Sequence, residues 1–348
     1  MNHFKFHPYF LNIPEVDKSV RQKFGRGYGV LSMSLILLFT LAPVSSVAQD
    51  SGPVLEEVIV TAQKRSENLQ DIPLAITSLS SDRLRQQNVS NLKGLTSLVP
   101  NLDVAHNNGR MKIFIRGIGK TLDNSGSEGS IAVHQDNVVI AYPTIQGTSY
   151  HDVERIEVLR GPQGTLFGRN ATGGAVNIIT RGPSEEFRMD ARVSIGNYNS
   201  REIEIGIGGP IVEDKLLGRL AVYNIDQSGF GFNSFNGADI DDRNEIALRG
   251  RLKWLITDKL TAELNVDYWD ADDASGIVHT FGSAFGILRG VAEGGSAAPN
   301  FRGVASETVE SREFTTKGYI LNVRYEINDQ WALTSISGYR DMDGVQKS

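Results

Sequence analysis

The residue types needed for bond-breaking chemistry occur in this 348-residue chain, but not in the spacings that such chemistry uses. Serine, histidine and aspartate are present without a Gly-x-Ser-x-Gly elbow or a His-Glu-x-x-His helix. The glycine-dense stretch from Gly161 to Gly174 lacks the Gly-Lys-Ser/Thr ending of a phosphate loop. Cysteine is absent, which removes disulfides, thiolate metal sites and a cysteine nucleophile together. His134 and His151 are lone imidazoles in or beside strands, where histidine is mostly structural or solvated. No enzyme activity, metal site or cofactor is therefore expected. The chemistry that remains is ionic and mechanical. Arg116, Glu154, Arg155, Glu157, Arg160, Arg169 and Arg181 interrupt otherwise apolar strands, which a free-standing core would rarely tolerate. A short β-prone run, Glu57-Val58-Ile59-Val60-Thr61-Ala62, stands between polar flanks and offers its backbone donors and acceptors to an incoming strand.

The elements that must position those charges are legible around them. Val153, Ile156, Val158 and Leu159 read as a buried strand. Gly161, Gly164, Gly168, Gly173 and Gly174 then permit tight reversals, and Ala175 to Thr180 restarts an apolar strand. Upstream, Asp71 to Thr77 reads as a strand, and Ser80-Ser81-Asp82 caps a helix running through Leu84 and Arg85 toward Val89. A second short helix begins near Asn91, with Leu92, Leu95 and Leu98 on one face, and ends before Pro100. Val104, Ile113, Phe114 and Ile115 lead into Arg116-Gly117-Ile118-Gly119.

The run DVERIEVLRGPQGTLFGRNATGGAVNIITR from Asp152 to Arg181, the Arg116-Gly117-Ile118-Gly119 stretch and EEVIVT from Glu56 resemble the plug domain of a TonB-dependent outer-membrane receptor. The resemblance implies an α+β plug domain over residues 68–182, with the seven charged residues facing a polar barrel lumen where a wall can pair with them. It makes Glu57 to Ala62 a TonB box, which the inner-membrane transducer TonB pairs with and pulls. About five backbone hydrogen bonds at about 1 kcal/mol net each give a reversible grip. It places the loops at 120–130 and 142–150 at the plug apex, with Asp123, Asn124, Glu128, Tyr142, Gln146 and Tyr150 as ligand-facing candidates. One departure stands out: relatives commonly carry a Tyr-x-Asp-Gly-Val turn where this chain has His134-Gln135-Asp136-Asn137-Val138. Asn137 can take the left-handed conformation that glycine would.

Residues 1–48 read as a secretory signal peptide: basic residues Lys18, Arg21, Lys23 and Arg26, an apolar run from Val30 to Val44, and Ser46-Val47-Ala48 at the cleavage site. A membrane anchor is the alternative, and the long basic segment leaves open a later start or an extended signal. Removing residues 1–48 takes five Lys/Arg and two Asp/Glu, moving the net charge from -6 to -9, and an acidic chain disfavours nucleic acid as a partner. Residues 49–67 are the box and its linker. From residue 183 the period becomes two, as in Ile246, Leu248, Leu252 and Trp254 against Glu245, Arg249, Arg251 and Lys253, with one face to outer-membrane lipid and one to a wet lumen. Seven antiparallel transmembrane β-barrel strands are predicted over 183–348. Short turns at 210–215, 257–258 and 328–329 alternate with long connections at 227–243 and 271–313, and Trp254, Tyr268, Trp269, Tyr325, Trp331 and Tyr339 suit an aromatic girdle or, equally, are ordinary strand aromatics. A plugged transporter needs about 22 strands, so an incomplete receptor is expected. The leading expectation is energy-coupled uptake of a scarce small-molecule nutrient, such as a ferric siderophore or carbohydrate, at the outer membrane. The alternative is a non-transporting fragment or a signalling receptor remnant.

Overall fold

The computed structural model of the chain describes residues 59–61, 64, 67–107, 110–120, 129–148, 150–274, 303–304 and 311–347. All lie in one of its two compact units, residues 56–348. The expected signal peptide falls outside the described residues, as do Glu57, Val58, Ala62, Asp123, Asn124 and Glu128.

In chain order the first strands are β1 (Ile59–Val60), β2 (Glu67–Asn68), β3 (Ile76–Ser80), β4 (Leu102–Asn107), β5 (Arg110–Ile115), β6 (Ile118–Gly119), β7 (Ile131–Gln135), β8 (Val138–Val139), β9 (Val153–Arg160) and β10 (Gly174–Thr180). Two short helices join them, α1 (Ser81–Gln86) and α2 (Gly164–Phe167). A five-stranded sheet runs β3-β9-β10-β7-β8, with β10 parallel to β7 and its other pairs antiparallel. A second sheet, β4-β5-β6, adds three antiparallel strands. The largely apolar sequence of β10 follows from burial on both faces. Ile156, Val158, Val176 and Ile178 pack on one side with Leu92, Leu95 and Val99, while Leu159, Ala175 and Ala132 pack on the other with Val60 and Phe167. Gly174 must be glycine: its φ is +155°, and a Cβ there would lie 2.4 Å from the Leu159 carbonyl oxygen.

Three local expectations are corrected. The strand read from Asp71 begins at Ile76, because Leu69–Asp71 turns as a 3-10 helix capped by Asn68. The capped helix is present, with Ser80 Oγ accepting from the Arg83 amide at 3.4 Å, but it stops at Gln86 where Asn88 turns left-handed, φ +53°. The second helix is a 3-10 turn, Leu92–Ser97. It begins beside Asn91 as read, and Asn91 caps it, its Oδ1 accepting from Gly94 N at 3.2 Å. A glycine three residues in, pressed against Val89, favours a tight turn over a continued α-helix.

The rest is one seven-stranded antiparallel meander. Its strands are β11 (Arg188–Ile195), β12 (Arg201–Val212), β13 (Leu216–Gln227), β16 (Arg243–Thr257), β17 (Leu260–Asp273), β19 (Ser311–Asn328) and β20 (Trp331–Lys347), paired in that order. The seven strands read from the period-two pattern are these. Cross-strand partners share a face: Ile207, Leu220 and Leu252 lie on the open side, whereas Arg219, Arg249 and Asp267 are buried on the side that holds the plug. The long connections carry a further small sheet that the sequence did not predict, β14 (Gly231–Asn233), β15 (Asp239–Ile240) and β18 (Gly303–Val304). Trp254, Tyr325 and Trp331 are exposed together at the short-turn end. Trp269 departs from the expected girdle. Being adjacent to Tyr268 it must point the other way, and it is buried with Nε1 donating to Glu245 Oε2 at 3.4 Å.

Candidate functional site

The plug is seated on the inner face of the meander by an apolar contact ringed with ionic ties. Tyr223, Ile225, Ala247, Trp269, Ala271 and Phe314 of the wall join the plug's main core. The ties come from plug turns. Asp152, in the left-handed region at φ +51°, accepts from Arg219 Nε at 2.9 Å, and its own amide donates to Glu204 Oε1 at 2.7 Å. Asp136 and Asn137 form the reversal between β7 and β8 with φ of +48° and +69°, so the Asn in place of the usual Gly does take the conformation expected of it. Asp136 accepts from Thr180 N at 2.9 Å, Thr180 Oγ1 at 2.7 Å and wall Asn265 Nδ2 at 2.9 Å, and lies 3.8 Å from Arg251. Arg251 in turn donates to the Thr180 carbonyl at 2.8 Å. Gln135 Nε2 donates to Asp267 Oδ2 at 2.9 Å, and Arg249 bridges Asp267 and the His151 carbonyl at 2.6 and 2.7 Å. Buried pairs of this kind cost several kcal/mol to break from one side, because the surviving charge is left without a partner.

The sequence expected the wall to pair with charges on the plug strands. Among those seven residues Arg181 does so, with Nη1 2.7 Å from Asp190. Glu154, Arg155 and Glu157 instead pair with one another, Arg155 Nε donating to Glu157 Oε1 at 2.9 Å. Alternation explains the difference: Glu157 shares a face with Leu159, and that face is covered by the segment around Val60 rather than by the wall. Arg116 and Gly117 form a left-handed reversal, φ +53° and +78°, and Arg116 and Arg169 are exposed. Arg160 is half-buried beside the Gly161 turn. Gly168, at φ +76°, closes α2, while Gly161, Gly164 and Gly173 surround it. Asp136, Asp152, Thr180 and Gln135 were missed. For Asp136 and Asp152 the available signal was an acidic residue at a turn beside an apolar strand.

The strand expected to stand free is docked. Ile59–Val60 pairs antiparallel with Glu67–Asn68, and Val60 is fully buried. The Thr61 amide donates to Glu157 Oε1 at 2.8 Å, and Arg155 Nη2 donates to Thr61 Oγ1 at 3.3 Å. Of the ligand-facing candidates that are described, Tyr142 is exposed, and Gln146 spends its amide on the Ile140 carbonyl at 2.8 Å. Tyr150 packs against the core with its hydroxyl buried, and that burial pushes its pKa well up.

Residues 68–175 match the profile of the TonB-dependent Receptor Plug Domain. The chain is 22% identical over 313 residues to the ferric-pyoverdine 358 receptor of Pseudomonas putida, covering 87% of this chain and 35% of that protein. It is 29% identical over 204 residues to the pesticin receptor of Yersinia pestis, covering 57% and 30%. The crystal structure of the ferric yersiniabactin uptake receptor from Yersinia pestis shares the fold at a TM-score of 0.67 and 20% identity, over 78% of this chain and 41% of that one. The chain thus spans about a third of the length of these curated relatives. Residues 68–175 are thus a plug domain of the TonB-dependent receptor kind, and with the antiparallel wall against which that plug is seated the chain is similar to TonB-dependent receptors.

Proposed function

We propose that the protein serves energy-coupled uptake of a ferric siderophore or similar scarce nutrient across the outer membrane. The observation that carries this reading is a separate plug held inside a strand wall by discrete polar ties at its turns, the Asp152–Arg219 ion pair and the Asn265–Asp136 hydrogen bond foremost. Such ties exchange for water one at a time, so a plug so held can be shifted by a pull of modest work, whereas a wholly apolar contact would part only as a unit. Relatives named for ferric pyoverdine and ferric yersiniabactin support the ligand class. TonB is the partner in this reading, taking residues Glu57 to Ala62 by strand addition after Ile59 and Val60 leave their present partner strand. Ligand would meet the plug near exposed Tyr142.

The test is uptake of radio-iron siderophores by cells that depend on this receptor. Val58→Pro or Val60→Pro removes a backbone donor from the pulled strand, so uptake falls to background while surface binding of ligand persists. Undiminished uptake in both variants would defeat the assignment of the box.

A further inference from the structure

One face of the plug sheet carries a buried polar strip where a core would be apolar. Glu157 on β9, Asn177 on β10 and His134 on β7 are direct cross-strand partners, so all three project to the same side, and each is at least nine-tenths buried. Among the described residues, Glu157 Oε2, both amide atoms of Asn177 and Nδ1 of His134 have no hydrogen-bond partner. Desolvating polar groups without partners costs on the order of 1–3 kcal/mol each, so whatever covers this strip is held under tension.

The cover is the N-terminal segment. Val60 packs beside Leu159 and Ala175, and Thr61 is clasped by Glu157 through both its amide and its hydroxyl. Lys64 reaches over the Phe167 ring at 4.4 Å from its centroid and donates to Asn137 Oδ1 at 3.0 Å. His134 stands edge-on to the same Phe167 ring, 5.1 Å between centroids. We propose that this strip is a proton-sensitive seat for Ile59, Val60, Thr61 and Lys64, holding them docked near neutral pH and releasing them in mild acid.

The charge arrangement gives the direction. Lys64 faces His134 from the docked segment, Glu157 and its partner Arg155 face it from β9, and Asp136 at the end of β7 is committed to Thr180 and Asn265. With the segment in place, burial and then the Lys64 ammonium hold the His134 pKa down, from 6.5 to about 4. With the segment gone, the Lys64 ammonium and part of the burial go with it, and both changes favour protonation of the imidazole. A docked-state pKa below the undocked one means docking is fully stabilised above about pH 6.5 and weakens as pH falls toward 4. Those two values shift the docking equilibrium about 20-fold between pH 7 and pH 5.

Hydrogen exchange of the full-length protein in detergent reads this directly, through the protection factor of the Thr61 amide corrected for intrinsic exchange. The expected result is a drop of about 20-fold from pH 7 to pH 5, with the β9 and β10 amides unchanged. Glu157→Gln lowers Thr61 protection at both pH values, and His134→Gln removes the pH response. Should His134→Gln not fold, Lys64→Gln at its exposed position decides, since loss of the neighbouring cation shrinks the response. Equal protection at the two pH values, a parallel loss in β9 and β10, or an undiminished response in the deciding variant overturns the proposal. No partner or ligand enters the measurement, so its failure leaves the uptake reading to be judged by its own assay.

Discussion

Asp152 shows what a single side chain contributes here. It is a buried aspartate in a left-handed backbone position, bound to a buried wall arginine and, through its amide, to a wall glutamate. Asp152→Ala keeps neither the backbone preference nor the pair, and leaves Arg219 charged without its main partner. The expected loss is about 3–5 kcal/mol in urea unfolding, and Asp152→Ala combined with Arg219→Met recovers part of it. A single variant within 1 kcal/mol of the parent, on the order of ordinary surface changes, would show that the pair is hydrated in solution. At this scale the sequence shows which residues carry charge and not which partners they take. Glu157 and Arg155 are as charged as Asp152, yet they bind each other and Thr61, because partner choice depends on which face another segment happens to cover.

Elements were read more securely than contacts. Alternation in β13 and β16 fixed which residues face out, since a one-residue slip would place Arg219 and Arg249 on the open side and Leu220 and Leu248 against the plug. Leu220 is outward and exposed, so Leu220→Arg costs about 2–4 kcal/mol of bilayer folding stability if it lies near the midplane. Equilibrium folding into lipid vesicles measures it. No penalty there would mean that this face does not meet lipid. Helices were less legible than strands. A six-residue helix and a 3-10 turn have too few positions for periodicity to separate them, and tight contacts such as Gly94 against Val89 settle the geometry. The small sheet linking β14 to β18 joins strands about seventy residues apart, which no local pattern encodes.

For the whole molecule, the contact between plug and wall is a mixed surface: an apolar patch around Trp269 and Phe314, with ionic ties at the Asp136 and Asp152 turns. Weakening both turns should loosen the plug while the wall keeps its own ladder. In Asp136→Ala/Asp152→Ala, urea is expected to expose the plug amides before those of β12, β13 and β16, as two transitions in hydrogen exchange. A single shared transition at an unchanged midpoint would mean that the apolar patch alone sets the seating. The same separation of plug from wall is what the proposed uptake cycle requires.

The sequence by itself determined the glycine-dense plug motif, the seven alternating strands and the absence of catalytic spacing, because each rests on local rules of backbone freedom and side-chain period. Tertiary structure alone decided that the wall is held by turn residues, that the box-like strand is parked on Glu157, and that His134 sits under Lys64. Those outcomes depend on residues from about fifty to more than one hundred positions apart meeting across a covered face, and burial at that face sets the energy of every charge involved.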